Sequence, residues 1–256
     1  MLLAVDIGNT NITIGLYEND KLIFVSRLAT ERKRMPDQYA AELSAIFNLH
    51  SINTAEFSGA IISSVVPELT GTIRSAVGFI TKQIPLIIGP GVKTGLNIKI
   101  DNPAQLGADL VAGAVGAISK YKLPCLVLDM GTATKISVID SKGDYKGCTI
   151  SAGVRISLDA LSSGASQLSA ISLDAPPSAI GTNTVTSMQS GTVLGTAAMI
   201  EGMCKRLETA LGEKIETVVA TGGIAADIIR YCEMDIKYDA DLILDGLKFI
   251  YNKNKQ

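Results

Sequence analysis

Runs of apolar residues and the small or polar residues that stop them open the two halves of this chain in the same way. Leu2-Leu3-Ala4-Val5 and Cys125-Leu126-Val127-Leu128 are unbroken apolar runs, each delivering an aspartate, then one apolar residue, then glycine. Such short continuous runs predict strands buried on both faces. The same reading, with its turn residues, predicts strands over 2–7, 11–18, 21–30, 59–65, 85–89, 125–130, 134–140, 145–152, 217–221 and 236–239. Helical spacing predicts helices over 37–48, 67–82, 104–121, 153–169, 184–211, 223–232 and 241–252. Pro67 and Pro103 suit helix starts, where the missing N–H has no partner to lose.

The repetition extends beyond the first strand. Leu3-Ala4-Val5-Asp6-Ile7-Gly8-Asn9-Thr10 matches Leu126-Val127-Leu128-Asp129-Met130-Gly131-Thr132-Ala133, 123 positions on. The match fades in the following strand, where the apolar parity slips by one. Later in each half, Gly59–Glu68 and Val218–Ala225 both read as a strand, a small-residue turn and a helix start. Segment 153–200 has no counterpart in the first half, and no low-complexity linker divides the halves. The pattern therefore predicts two related α/β lobes facing each other across a cleft, joined by a hinge helix near 115–124.

Composition removes several functions. The 23 Lys and Arg nearly balance 25 Asp and Glu, which leaves no basic field for nucleic acid. A single histidine, His50 at the end of an apolar helix, reads as a helix-end cap and excludes His-rich metal centres. The four cysteines form no CxxC and read as buried free thiols, which fits a reducing cytoplasm. Asp6 follows too closely on the start for a signal peptide, and the longest charge-free stretch, 175–200, is too rich in polar residues to span a membrane. A cytoplasmic protein without nucleic-acid or membrane partners is expected.

The chemistry lies at the strand ends. In Asp-x-Gly followed by small hydroxyl or amide residues, glycine lets backbone N–H groups approach a ligand, and those donors suit phosphate oxygens. The aspartate can hold a cation that neutralises them. One such turn is equally a plain hairpin, but two at equivalent points of a repeat, with Thr221-Gly222-Gly223 as a third, suit a nucleotide. Neither a Walker loop nor GxGxxG is present: Gly89-Pro90-Gly91-Val92-Lys93-Thr94 lacks the required glycines. Asp109 is the only charge in a small, apolar helical stretch. It reads either as a solvated helix acid or as a general base towards a substrate hydroxyl. Glu31-Arg32-Lys33-Arg34 is a loop charge run, and Arg155 reads as a surface cation or a ligand contact.

Together these residues resemble the type III pantothenate kinases. Asp6-Ile7-Gly8-Asn9-Thr10, Asp101-Asn102-Pro103, Gly107-Ala108-Asp109, Asp129-Met130-Gly131-Thr132-Ala133-Thr134, Ser151–Leu168, Gly181-Thr182-Asn183-Thr184, Thr221-Gly222-Gly223 and Leu244-Asp245-Gly246-Leu247 occur in that family's order. The resemblance covers essentially the whole chain. It implies duplicated ribonuclease-H-like lobes of the actin-like ATPase and sugar-kinase class around a nucleotide cleft. These would be an N-terminal lobe over 1–117 and a C-terminal lobe over 118–256, with a helical segment inserted near 153–200. It also implies a cytoplasmic homodimer that phosphorylates pantothenate with ATP, the first step of coenzyme A biosynthesis.

Carried over by position, the resemblance makes Asp6, Ile7, Gly8, Asn9, Thr10, Asn11, Ile12 and Thr13 the first phosphate loop. Thr132, Thr221, Gly222 and Gly223 would also contact ATP. Asp129 would ligate a monovalent cation, K⁺ or NH₄⁺, and Mg²⁺ would accompany the nucleotide. Asp109 would be the catalytic base. Gly107, Ala108, Asp109, Leu110 and Thr184 would line the pantothenate site, Thr184 from the partner subunit. Three positions depart from the pattern: Leu110 stands for an arginine, Ile100 for a tyrosine, and Lys135 for the last threonine of Thr-Ala-Thr-Thr. They leave open weaker pantothenate binding, compensation by Lys99 or Arg155, or another hydroxylated substrate. A non-catalytic regulator of the Bvg accessory factor type and an actin-like ATPase of unassigned coupling are the rival readings.

Overall fold

Each aspartate-bearing apolar run becomes an inner strand of its own mixed sheet in a computed structural model that describes residues 1–164 and 171–255. In the first sheet β1 (Leu2–Ile7) pairs antiparallel with β2 (Asn11–Glu18), which pairs antiparallel with β3 (Lys21–Ala29). On the other side of β1, β4 (Gly59–Ser64) and then β5 (Leu86–Ile87) add in parallel, giving the order β3-β2-β1-β4-β5. The second sheet repeats that order and sense with β9 (Asp144–Ala152), β8 (Ala133–Ile139), β7 (Cys125–Met130), β10 (Thr217–Thr221) and β11 (Lys237–Tyr238). One element lies outside the repeat: β6 (Asn97–Ile98) joins the free edge of β9, where the Asn97 amide donates to Asp144 at 2.7 Å. The duplication read from sequence is thus a duplication of topology, in the arrangement of ribonuclease-H-like lobes.

The chain separates into two compact units, one of 1–96, 102–119 and 242–256, the other of 97–101 and 120–241. In the first, the alternation of β1 puts Leu3, Val5 and Ile7 into a core with Tyr39, Leu43 and Phe47 of α1 (Pro36–Leu49) and Leu69, Ile73 and Val77 of α2 (Pro67–Thr81). Phe47 is fully buried, and its loss to alanine costs about 3–5 kcal/mol. The last helix, α8 (Leu242–Asn254), also belongs to this unit, and Tyr17 of β2 donates to its Asp245 at 2.7 Å. It crosses α3 (Ala108–Lys120) where Gly116 and Gly246 meet. A side chain at either glycine would run into the other helix's backbone, so the crossing requires both.

The second unit carries α4 (Val154–Gly164), α5 (Thr184–Gln189), α6 (Gly195–Leu211) and α7 (Ala225–Ile229). Its core joins Leu126, Leu128 and Met130 to Val193, Ile200, Cys204 and Ile228. Most predicted elements appear within a few residues; β6 was not expected, and three others differ. The helix expected from 104 begins at Ala108, because a separate turn at Pro103–Gln105 is capped by the Asn102 side chain. A π-helical turn at Ser190–Leu194 separates α5 from α6, and α7 is shorter than expected. The end of the helix expected over 153–169 lies outside the described residues from 165 on. His50 caps α1, with its ring 4.9 Å from that of Phe24. All four cysteines are free, and burial pushes the thiols of Cys125 and Cys204 up to about 12. Among the described residues no helix is long and apolar enough to cross a membrane.

Candidate active site

In the first unit β1 delivers Asp6 and Ile7 to a three-residue turn, Gly8-Asn9-Thr10, before β2 begins. The Gly8 N–H donates to the Asn11 carbonyl at 3.0 Å. Thr30, just past β3, fixes the turn from the side: its hydroxyl donates to Gly8 O at 2.7 Å and its N–H to Thr10 O at 2.9 Å. Arg32 adds an exposed contact to the Asn9 side chain at 3.1 Å and pairs with Glu68 at 3.3 Å. Asp6 faces Thr13 across the strands. Ile7 and Ile12 are buried in the core, so only their backbones can meet a ligand, whereas Asn9, Thr10 and Asn11 are exposed.

Gly107, Ala108, Asp109 and Leu110 lie at the start of α3 in the same unit. Asp109 is only 9% exposed, and its Oδ1 accepts the Leu110 N–H at 2.8 Å. Leu110 is equally buried, so its side chain belongs to the packed interior. The end of β4 links this helix start to the turn: the Val65 N–H donates to Ile7 O at 3.0 Å, and Val65 also lies beside Gly107. The predicted base and the first turn therefore share one edge of the first sheet. A concavity lined by Leu2, Tyr17, Asp20, Lys248 and Tyr251 also belongs to this unit and holds none of the candidate residues.

In the second unit the equivalent turn is one residue shorter. β7 ends at Met130 and β8 starts at Ala133, so only Gly131 and Thr132 intervene. This explains the slip in apolar parity. The Gly131 N–H donates to Ala133 O at 3.1 Å, and the Gly153 N–H to Thr132 O at 3.1 Å. β10 lies parallel to β7 with Thr221 level with Asp129. Gly222 then turns with φ +100°, and a Cβ there would lie 2.5 Å from Met130 O. Only glycine lets that turn rest on the end of β7. Asp129, Thr132, Thr221, Gly222 and Gly223 are thereby brought together. Thr184 stands exposed at the first position of α5, whose cap is the Asn183 side chain accepting from Thr186 N–H at 3.0 Å. No described contact joins it to the other candidates.

The shortened turn has an electrostatic result: Lys135 stands directly opposite Asp129, with its Nζ 2.8 Å from Oδ2. Both side chains are mostly buried, at 18% and 15% exposed. Another monovalent cation about 4 Å from that ammonium group would be repelled by on the order of 4 kcal/mol at an effective dielectric near 20. The donor set at Asp129 does not fit a monovalent metal ion. The first turn differs, because Asp6, Asn9 and Thr10 offer hard oxygen donors of the kind Mg²⁺ takes. Among the described residues no cluster of three or more His, Cys, Asp or Glu forms a metal cage. A divalent ion here would rely on phosphate oxygens, as Mg²⁺ in nucleotide sites does. Sequence reasoning missed the supporting roles of Thr30 and Gly153, which no local pattern marks. It registered Lys135 only as a departure.

The profile of the family described as Type III pantothenate kinase matches residues 2–206. A protein of that name from Roseiflexus castenholzii is 43% identical over 256 residues, with both chains covered completely. Another from an Exiguobacterium species is 40% identical, again over the whole of both chains. Among solved structures, a Campylobacter jejuni protein assigned to the Baf family of transcriptional activators superposes with a TM-score of 0.62 at 20% identity, covering 99% of this chain and 98% of its own. Component A of the (R)-2-hydroxyglutaryl-CoA dehydratase of Acidaminococcus fermentans gives 0.60 at 14% identity, covering 100% and 99%. At such identities the likeness concerns the fold alone, that of the actin-like ATPases and sugar kinases.

Proposed function

The chain belongs to the type III pantothenate kinase family, and on that premise we infer that it transfers the γ-phosphate of ATP to the hydroxyl of pantothenate, opening coenzyme A biosynthesis. The single observation that carries the acceptor side is Asp109, a mostly buried carboxylate on the same sheet edge as the Gly8–Thr10 turn. Asp109 accepts the hydroxyl proton as the acceptor oxygen bonds to the γ-phosphorus and the bond to ADP breaks. Gly107, Ala108 and Leu110 shape the wall beside it. Buried Leu110 adds no hydrogen bond where the family pattern has arginine.

Backbone N–H groups of the Asp6–Thr13 turn in the first unit, and Thr132 and Thr221–Gly223 in the second, each offer donors to nucleotide phosphate, acting by position rather than by covalent chemistry. Mg²⁺ bound with ATP would neutralise phosphate charge, with Asp6 and the oxygens of Asn9 and Thr10 on its protein side. The assembly is a homodimer in the cytoplasm, with Thr184 reaching the partner's acceptor site. Five of the twelve exposed large apolar residues among those described, Ile150, Ile156, Leu161, Ile180 and Val185, fall between 150 and 185 of the second unit, which supports a contact surface there. The free, high-pKa thiols suit a reducing compartment. The regulator and other-substrate readings are not favoured, since four full-length relatives at 40–43% identity carry the kinase name.

The test is coupled ADP release by purified protein with ATP and Mg²⁺, with and without pantothenate. ADP formation should depend on pantothenate, and indifference to it across millimolar concentrations would refute the reading. Asp109→Asn should lower kcat at least about a hundredfold and leave ATP binding intact.

A further inference from the structure

The two hairpins differ at one register position, and that position carries a charge. Asp6 of β1 faces Thr13, whereas Asp129 of β7 faces Lys135, because the second turn is one residue shorter. The Lys135 ammonium group lies 2.8 Å from the Asp129 carboxylate in a mostly buried pair. It stands on the strand that follows the Gly131-Thr132 turn, one strand from the Thr221–Gly223 turn that packs against Met130. A lysine side chain ends in an ammonium ion with one hydrogen replaced by carbon, so it offers the charge and N–H donors of NH₄⁺. Tethered to β8, it also has no bulk concentration to depend on.

We propose that Lys135 takes the place of the monovalent cation at Asp129, so that this kinase binds ATP and turns over without K⁺ or NH₄⁺. The proposal rests on the kinase reading above and concerns the nucleotide side of the same site. Its consequence is a nucleotide affinity insensitive to which monovalent salt is present, and a permanent positive charge beside the second phosphate turn.

The full-length protein is compared in sodium and potassium buffers of equal ionic strength by two readouts. One is pantothenate-dependent ADP formation; the other is affinity for a non-hydrolysable ATP analogue with Mg²⁺. The wild type should give values equal within about twofold in the two salts, well under the tenfold that 1.4 kcal/mol represents. Lys135→Thr should lose at least about tenfold in both readouts in sodium and recover in potassium or ammonium. Lys135→Met, which keeps length without charge, should lose as much in sodium and recover less. Potassium stimulating the wild type by about tenfold or more would overturn the proposal, as would a Lys135→Thr protein indifferent to the salt. Absence of pantothenate-dependent ADP formation in every salt would sink the kinase reading alone, and the analogue titration would still decide the role of Lys135.

Discussion

The β1–β2 and β7–β8 hairpins begin from nearly the same sequence and end with opposite electrostatics. Both place an aspartate near the end of an inner strand and follow it with glycine. In the first, three turn residues leave Asp6 opposite a hydroxyl, and Thr30 holds the turn from the neighbouring strand end. In the second, two turn residues bring an ammonium group against Asp129, and the Gly222 turn packs on the strand end. The loss of one residue changes the cross-strand partner, because side-chain direction and pairing both follow register. A duplicated motif can therefore keep its fold and divide its chemistry. One copy keeps oxygen donors for a metal–phosphate group, while the other carries its own cation.

Making the first hairpin imitate the second should have the largest effect. Thr13→Lys would place an ammonium group opposite Asp6, and kcat/KM should fall at least about a hundredfold, with the melting temperature nearly unchanged. Near-normal activity in steady-state assays would mean that the two turns are interchangeable and that the charge opposite each aspartate does not matter.

Next in size comes the backbone. Gly222→Ala forces a side chain into a positive-φ conformation and onto Met130, so it should cost about 2 kcal/mol, or a melting midpoint lower by about 4–8 °C. Gly8→Ala meets only the Asn11 carbonyl at 3.0 Å, and calorimetry should find it milder, below about 1 kcal/mol. Equal losses would show that the first turn is as tightly constrained as the second.

The smallest effect on turnover is expected at the brace. Thr30→Val removes the hydroxyl bond to Gly8 O and should cost about 1 kcal/mol, raising the KM for ATP severalfold without altering kcat. A change in kcat with constant KM would place Thr30 in a different role.

The sheets' inner strands were legible because Leu2–Ile7 and Cys125–Met130 are apolar runs ended by glycine, and the aspartate in each marks a position where burial must stop. Thr221-Gly222-Gly223 was legible as a turn, but its seat on Met130 depends on β10 pairing with β7, which strand periodicity does not specify. β6, two residues long, is too short to show any period. The Lys135–Asp129 pair needed the turn length: the slipped parity was visible in the sequence, and its consequence for register was not. The amphipathic pattern of 241–252 announced a buried face without naming its partner, which is the first unit.

That return of the last helix makes the second unit an insertion within the first, and this has a consequence for the order of folding. The first unit cannot complete its packing until 120–241 have been made, whereas that stretch, with 97–101, forms a compact unit of its own. Bringing ends some hundred residues apart together as a flexible loop would cost about 4 kcal/mol in chain entropy. Once folded, the second unit removes most of that cost by clasping its own ends. Lys120 Nζ lies 2.7 Å from the Asp239 carboxylate, and the Tyr121 hydroxyl donates to it at 2.8 Å. This clasp sets residue 119 near residue 242, so α8 is delivered to α3 as a local partner rather than a distant one. The inserted unit acts on the first as an internal template for the final step of assembly.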